Sequence, residues 1–231
     1  MAIPKIVTPT YECELPSTKQ KIKFRPFLVK EEKVMLVALE ADNETAIQDA
    51  LIQIVSNCTD NKIDVEQLPI FDFEYLFLKI RSKSVGEVVK LKLKCPDDDK
   101  VTVDYELNLD ELKVEIDSKF KFEVPFTESY GVVLRYPTIR EVMKDDETSL
   151  LSLSLIKDCL KMIYNGDDTY YRKDITDEEF DEWIDTLTKD QFDLLVKWFK
   201  SVPKIEHVIK YNNPKSGKEF SLTLSGTKDF F

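Results

Sequence analysis

The hydrophobic pattern changes its period several times along this chain, and that change constrains the fold more than any other feature. Near the N-terminus, Tyr11, Cys13 and Leu15 alternate with acidic residues, and after a turn at 16–18 the alternation resumes from Ile22. Alternation with period two on both sides of a proline turn is typical of a β-hairpin with one buried face. The sequence therefore predicts an antiparallel strand pair at its start.

Three helical patterns follow this hairpin, each with apolar residues at steps of three and four. They cover Lys30 to Ala41, then a helix capped by Asn43, and then about Phe71 to Ser82. Asn is a favoured N-cap because its side-chain oxygen accepts a hydrogen bond from a free N–H of the first turn. The first of these helices is expected to bury a face made of Val34, Leu36, Val37 and Ala38.

The period returns to two after the third helix. Val89, Leu91 and Leu93 alternate with lysines, a turn at 96–99 follows, and a second alternating run begins at Val101. Alternation of this kind indicates antiparallel strands with one face in water. We expect a β-meander over 84–118 that projects from the helical part, with a third strand at Leu112, Val114 and Ile116.

The second half of the chain returns to helical patterns. Leu150 to Tyr164 is strongly apolar and is predicted to be a helix that ends at Gly166, because glycine is common just after a helix. Two capping boxes, in which a hydroxyl and an acid or amide satisfy two free N–H groups, are expected to open two further helices. They are Thr176 with Glu179 and Thr188 with Gln191.

These patterns together predict an α+β fold, a helical core with antiparallel β-hairpins at the N-terminus, the centre and the C-terminus. Residues 203–231 are expected to form the C-terminal β-hairpin, and 1–231 to form a single domain, because no low-complexity linker divides it. Residues 90–107 and 206–224 echo one another as strand, X-Pro turn, Lys and strand. The echo is consistent with a zinc-ribbon hairpin that has lost its ligands, or with two hairpins that share ordinary turn chemistry.

Composition excludes many classes of enzyme and of nucleic-acid-binding protein. The chain has only five glycines in 231 residues, all standing singly, so neither a P-loop nor a dinucleotide fingerprint exists. A net charge of −11 argues against binding nucleic acid or an anionic membrane, because both need a basic face. No run approaches the ~20 apolar residues of a membrane span, and the N-terminus lacks the apolar stretch of a signal peptide. We therefore expect synthesis in a cytosol.

No catalytic residue, cofactor site or metal site is predicted. The four cysteines, at 13, 58, 95 and 159, lie at least 37 positions apart, which favours buried reduced thiols over zinc or a redox pair. His207, the only histidine, stands beside Glu206, but no nucleophile motif accompanies it. Tyr170, Tyr171 and Arg172 could stack a ligand or pack on the neighbouring helices.

Several runs of the sequence resemble those of one known family. The first comprises Leu15 to Lys19 and Phe24 to Lys33, and it is extended by Leu68 to Phe77 and Ser82 to Glu87. The closing run from Phe220 to Phe231 is similar too. In this order the runs resemble the baseplate hub and hub-assembly proteins of T4-type contractile-tailed bacteriophages, and the likeness covers most of the chain.

The resemblance implies a non-enzymatic protein that needs no cofactor. It suggests a structural component of a contractile-tailed phage baseplate hub, acting by protein–protein contacts in tail assembly. The implied partners are other hub and wedge proteins, with several copies in a symmetric assembly, and neither nucleic acid nor membrane. The implied location is the tail baseplate of the virion, after synthesis in the host cytoplasm. The alternatives are a transient assembly chaperone absent from the finished virion and an uncharacterised hydrolase.

Arg25, Pro26 and Phe27 form the first segment that we expect to contact a partner. Proline cannot donate a hydrogen bond to a strand ladder, so the strand before it should end or lie at a sheet edge. The guanidinium of Arg25 suits a carboxylate, which could belong to Glu31 or Glu32 of this chain or to a partner protein.

Phe230 and Phe231 form the second predicted partner-binding segment. They stand at the C-terminal end of the sequence, next to Asp229. Large aromatic side chains are common anchors at protein interfaces. This end could dock on the chain's own core or insert into a pocket on another subunit.

Overall fold

The α+β class is confirmed by a computed structural model, which describes residues 7–41, 43–144 and 153–225. Within them the chain forms seven α-helices and ten β-strands in four small antiparallel sheets. The helices are α1 (Val29–Glu40), α2 (Glu44–Cys58), α3 (Ile70–Val85), α4 (Ile139–Lys144), α5 (Leu153–Cys159), α6 (Asp177–Asp185) and α7 (Lys189–Lys200). The strands are β1 (Tyr11–Glu14), β2 (Lys21–Phe24), β3 (Val88–Cys95), β4 (Asp98–Asn108), β5 (Glu123–Pro125), β6 (Tyr130–Leu134), β7 (Leu160–Asn165), β8 (Asp168–Tyr171), β9 (Glu206–Asn212) and β10 (Glu219–Ser225).

The chain divides into two compact units, each built from segments that are separate in sequence. Unit 1 comprises Met1–Val65, Phe71–Glu115 and Lys204–Phe231. Unit 2 comprises Glu66–Ile70 and Ile116–Pro203. The single domain expected for residues 1–231 stays a prediction.

The N-terminal hairpin of unit 1 forms as predicted. β1 pairs antiparallel with β2, with Tyr11 opposite Phe24 and Glu14 opposite Lys21. Ile22 and Phe24 are buried while the lysines between them are exposed, which is the alternation expected of a half-buried strand. The aromatic rings of Tyr11 and Phe24 lie 5.9 Å apart and fix the open end of the hairpin.

The second and third helices of unit 1 also form where the sequence predicts them. Asn43 caps α2 by accepting a hydrogen bond from the Thr45 N–H at 3.0 Å. α3 carries a buried carboxylate, Asp72, which accepts a hydrogen bond from the Ser17 N–H at 3.0 Å and so ties the turn of the N-terminal hairpin to the helix. Burial nevertheless raises the pKa of Asp72. The apolar residues that α3 buries are Phe71, Phe73, Leu76, Phe77, Leu78 and Ile80.

Two further β-hairpins of unit 1 contribute side chains to one hydrophobic cluster. β3 pairs with β4, and β9 pairs with β10, each in its own two-stranded sheet. The C-terminal hairpin that we predicted therefore forms, with strands over Glu206–Asn212 and Glu219–Ser225. The buried residues of the shared cluster are Leu78, Val89, Leu93, Leu107, Leu109, Leu112, Ile205, Ile209 and Leu224.

The predicted third strand of the meander is wrong within the described residues. After β4 the chain forms a 3-10 turn over Leu109–Glu111, and Val114 makes only an isolated bridge with Ile205. Asp110 in that turn accepts hydrogen bonds from Ser82 Oγ at 2.9 Å and from a lysine of α3 at 2.8 Å. These bonds hold the chain against α3, so it cannot continue along the sheet edge.

Unit 2 is built around the four-stranded sheet, whose strand order is β5-β6-β7-β8. Gly131 in β6 lies opposite Pro125 and Tyr164, and a Cβ there would collide with the Val124 carbonyl oxygen and the Tyr164 hydroxyl. Both predicted capping boxes are confirmed at the starts of α6 and α7. The helices bury Phe180, Ile184, Leu195, Trp198 and Phe199.

The helix predicted over Leu150 to Tyr164 begins outside the described residues, is confirmed over 153–159 and is wrong after Cys159. α5 ends at Cys159, and residues 160–165 form β7, a central strand of the sheet. Gly166 has φ +61° and lies in the two-residue turn between β7 and β8. The two turn residues are Gly166 and Asp167, and glycine is favoured at the first position of such a tight hairpin turn because it adopts a positive φ without a steric penalty. Here Gly166 turns a hairpin, whereas the sequence prediction assigned it to the end of a helix.

Candidate partner-binding surfaces

Arg25, the first residue of the predicted partner-binding segment, forms an ion pair inside unit 1. Its guanidinium lies 2.9 Å from Glu31 Oε1 and 3.4 Å from Glu31 Oε2, and it also donates to the Pro26 carbonyl oxygen at 2.9 Å. The side chain of Glu31 is only 1% exposed and that of Arg25 is 15% exposed. The sequence allowed Arg25 to pair with a carboxylate of its own chain or of a partner protein, and the structure contains the internal pair with Glu31.

The electrostatics of the pair follow from this geometry. The hydrogen bond that Arg25 donates to the Glu31 carboxylate raises the pKa of Arg25. Burial opposes ionisation of Glu31, but hydrogen bonds from Arg25 and from the Leu28 N–H, the latter at 2.8 Å, outweigh burial and lower the pKa of Glu31. The Glu31 carboxylate thus accepts hydrogen bonds from a charged side chain and from the N–H of Leu28, the residue that precedes the first turn of α1.

The backbone of the same segment is tied to two helices of unit 1. The Arg25 N–H donates to the Cys58 carbonyl oxygen at the end of α2, at 2.9 Å. The Phe27 N–H donates to Ser84 Oγ in α3 at 3.0 Å. Pro26 and Phe27 are half-buried. A contact between this segment and a partner protein stays a prediction, as does the anchor at Phe230 and Phe231, which lie outside the described residues.

Unit 2 contains the same arrangement, which sequence reasoning did not single out. Arg135 follows β6 as Arg25 follows β2, and Glu141 stands six positions later in the first turn of α4. The guanidinium donates to Glu141 Oε2 at 2.9 Å, and the Arg135 N–H donates to the Cys159 carbonyl oxygen at 2.9 Å. The shared spacing, Arg followed six positions later by Glu with a proline between them, is the signal that could have found it.

α1 carries exposed apolar side chains, of which the sequence predictions assigned Leu36 and Val37 to a buried face. Ala38 is buried, but Leu36 is 53% exposed and Val37 is 67% exposed. Val29 and Leu39 are exposed on the same helix. A cluster of exposed apolar side chains on one helix often marks an interaction surface. We call Val29, Leu36, Val37 and Leu39 the α1 apolar face.

Polar contacts join the turn of the β3–β4 hairpin to the turn of the β9–β10 hairpin in unit 1. The carboxylate of Asp97 accepts hydrogen bonds from Ser216 Oγ at 2.7 Å and from Asn213 Nδ2 at 2.6 Å. These bonds lower the pKa of Asp97. The Tyr211 hydroxyl donates to the Lys94 carbonyl oxygen at 2.8 Å. The two segments that echo one another in sequence are thus joined at their turns by side-chain hydrogen bonds.

The residues considered for chemistry have other roles where the structure describes them. His207 Nε2 lies 3.3 Å from the Tyr105 hydroxyl, which stands on the opposite hairpin. Cys58, Cys95 and Cys159 are buried free thiols, as predicted, whereas the free thiol of Cys13 is only half-buried. Burial raises the pKa of Cys58 to about 11. Among the described residues, no group of three His, Cys, Asp or Glu side chains is arranged to hold a metal ion.

Comparison with known proteins agrees with the resemblance seen in the sequence. The family model described as T4 bacteriophage base plate protein matches residues 8–231, which is nearly the whole chain. The chain belongs to this family. No curated protein and no solved structure gives a significant match to it.

Family membership gives the coarse identity of the molecule. It is a protein of the bacteriophage baseplate, it belongs to the phage tail, and it associates with other baseplate proteins. None of the helices in its described residues combines the length and the apolar composition needed to cross a bilayer.

Proposed function

We propose that this baseplate protein is a structural component of the hub of a contractile tail and that it acts by protein–protein contact. The observation that carries the proposal is the α1 apolar face, because a face of this kind is stabilised when a neighbouring subunit covers it. The expected neighbours are other hub and wedge proteins, present with several copies of this chain in a symmetric assembly. The role needs no cofactor and no enzymatic activity.

The sheets of unit 1 offer a second means of contact. In the described residues, β1–β2, β3–β4 and β9–β10 are two-stranded sheets, so each strand keeps one edge that no other strand pairs with. Unpaired edges are templates for strand addition by another chain. The proposal therefore combines edge-strand pairing with apolar anchoring, including the aromatic anchor at Phe230 and Phe231.

Substitution on the α1 apolar face tests the proposal directly. We expect Leu36→Ser/Val37→Ser to reduce the number of assembled baseplates counted by electron microscopy after complementation. The matched control, Glu32→Ser/Lys33→Ser, changes two exposed polar residues of the same helix and leaves the net charge unchanged. Equal assembly with both variants, at wild-type protein levels, would contradict the docking role of this face.

The anchor at the C-terminus has its own test. Deletion of residues 229–231 is expected to lower the yield of assembled baseplates, because it removes Phe230 and Phe231. Normal assembly without these residues would contradict the anchor hypothesis but would not affect the proposed role of the α1 apolar face.

Mass spectrometry of purified particles separates a structural component from a transient chaperone. A hub component is expected in every preparation at a fixed ratio to other baseplate proteins, whereas a chaperone is expected to be absent. The hydrolase alternative depends on His207, and the His207→Ala variant is expected to support assembly normally.

A further inference from the structure

Unit 2 contains a groove of about 560 Å³, to which no role has been assigned above. Its lining residues come from the strands β6, β7 and β8, from the 3-10 turn that follows them, and from α6. Sites of this size commonly bind one or a few side chains of a partner or a small ligand. The elements that line the groove belong to the sheet and to a helix with a complete capping box, so the groove is built on regular structure.

The groove combines aromatic rings with acidic groups. Three aromatic side chains line it, from Tyr130, Tyr170 and Trp183. The Trp183 Nε1–H donates to the Tyr130 hydroxyl at 2.7 Å, which fixes the plane of the indole ring. A fixed indole is a good platform for a cation, because the negative face of the ring attracts positive charge.

Three carboxylates also line the groove, from Asp174, Glu179 and Glu182, and no lysine or arginine among the described residues does. Glu179 is partly engaged, since its Oε2 accepts the Thr176 N–H at 2.7 Å. Neither Asp174 nor Glu182 forms a hydrogen bond or an ion pair with any residue that the structure describes. The groove therefore holds two acidic groups without a partner beside a fixed aromatic ring.

We propose that this groove binds an arginine-containing segment of another baseplate protein. A guanidinium can stack on Trp183 or Tyr170 through its flat face while its N–H groups donate to Asp174 and Glu182. A lysine ammonium matches the charge but lacks the planar fork, so arginine fits better. The inference rests on the proposed function only for the source of the segment.

The overall charge of the chain supports a basic partner. With a net charge of −11, the protein repels acidic surfaces and attracts basic ones during encounter. Asp174 and Glu182 are both exposed, so part of that charge is accessible to a basic segment at the groove.

The test uses the full chain and a peptide probe. Acetyl-Gly-Arg-Gly-Arg-Gly-amide is titrated into ¹⁵N-labelled protein at low salt, and the two indole N–H signals are followed by NMR. Trp183 reports the groove, and Trp198 serves as an internal reference, because its Nε1–H donates to the Lys121 carbonyl oxygen at 2.7 Å. We expect a saturable shift of the Trp183 signal and a smaller shift for Trp198.

Two comparisons make the result specific. A peptide with citrulline in place of both arginines keeps the shape and removes the charge. We expect its affinity to be lower by a factor of at least about ten, which corresponds to ~1.4 kcal/mol of binding free energy. Glu182→Gln is expected to weaken binding of the arginine peptide by about fivefold, as lost charge-assisted hydrogen bonds do. Asp185→Asn is the matched control, since it removes an exposed carboxylate of the same helix that does not line the groove.

Three outcomes would overturn the inference: no saturable shift of Trp183, equal binding of the citrulline peptide, or equal weakening by Glu182→Gln and Asp185→Asn. These outcomes are independent of the proposed function, because peptide binding in solution needs no assembled baseplate. Failure of the peptide together with loss of assembly in Leu36→Ser/Val37→Ser would reject the groove and retain the structural role.

Discussion

Arg25–Glu31 in unit 1 and Arg135–Glu141 in unit 2 are ion pairs at corresponding places, but they lie at different depths. In both, the arginine follows a strand, its N–H donates to the carbonyl oxygen of a cysteine that ends a helix, and the glutamate stands in the first turn of the next helix. The exposed fractions are 15% and 1% for Arg25 and Glu31, and 34% and 14% for Arg135 and Glu141.

The two pairs also differ at the residue that caps the helix. Thr138 caps α4, and its Oγ1 accepts the Glu141 N–H at 3.4 Å while Glu141 Oε2 accepts the Thr138 N–H at 2.9 Å. Leu28 occupies this place before α1 and has no side-chain oxygen, so the Leu28 N–H donates to Glu31 Oε2 at 2.8 Å while the Glu31 N–H donates to the Leu28 carbonyl oxygen at 2.9 Å. The comparison teaches that the arrangement depends on the charge pair, while the capping hydroxyl is dispensable.

The largest expected effect is the loss of the deeper pair. Glu31→Gln leaves the guanidinium of Arg25 partly buried without a countercharge, and we expect the free energy of unfolding to fall by about 3 kcal/mol. Urea denaturation followed by far-ultraviolet circular dichroism measures it. Glu32→Gln, an exposed carboxylate on the same helix, is the control and should change the free energy by less than about 0.5 kcal/mol. Equal losses in the two variants would show that burial of Glu31 has no energetic consequence.

The corresponding change in unit 2 should cost less. Glu141→Gln removes a more exposed pair in which water can solvate Arg135, so we expect a loss of about 1.5 kcal/mol. Tryptophan fluorescence during urea denaturation is suited to this variant, because both tryptophans of the chain, at 183 and 198, belong to unit 2. Glu128→Gln, exposed in the same unit, is the control. A loss larger than that of Glu31→Gln would reverse the comparison.

Acid titration sharpens the comparison further. The pKa values of Glu31 and Glu141 are lowered in the folded state, so each carboxylate stabilises the fold above its ordinary pKa of 4.5. That stabilisation is lost as the pH falls below 4.5 and through the folded-state pKa.

We therefore expect the unfolding free energy of the wild type to fall more steeply below pH 4.5 than that of Glu31→Gln/Glu141→Gln. Chemical denaturation between pH 7 and about pH 3 measures both slopes. The double variant retains Asp110, whose pKa is also lowered because hydrogen bonds from Lys83 and Ser82 outweigh its burial, so some acid sensitivity should remain. Parallel slopes would show that these glutamates do not control acid stability.

Sequence patterns predict the local elements of this protein well. Period two in the N-terminal hairpin, the Asn43 cap and the capping boxes at Thr176 and Thr188 are all confirmed, because each depends on residues close together in the chain. The buried stripe of α3 is confirmed for the same reason.

Patterns fail where distant residues decide the structure. Residues 160–165 carry an apolar run compatible with helix, but pairing with β6 and β8 makes them a strand. Leu36 and Val37 fit a helical stripe, yet they are exposed on α1. The groove is lined by residues of three strands and a helix that extend from Tyr130 to Thr186, so no local pattern points to it.

The smallest expected effect comes from completing the incomplete cap. Leu28 has an extended backbone, with φ −103° and ψ 172°, which a threonine N-cap also adopts. Leu28→Thr should offer a side-chain hydroxyl to the Glu31 N–H, which now donates to the Leu28 carbonyl oxygen at 2.9 Å, and raise the unfolding free energy by about 0.5 kcal/mol relative to Leu28→Val, which has the same branched shape with a methyl group in place of the hydroxyl. Urea denaturation of the two variants measures the difference. Equal stabilities would mean that the two bonds between Leu28 and Glu31 already stabilise the start of α1 as well as the capping box stabilises the start of α4.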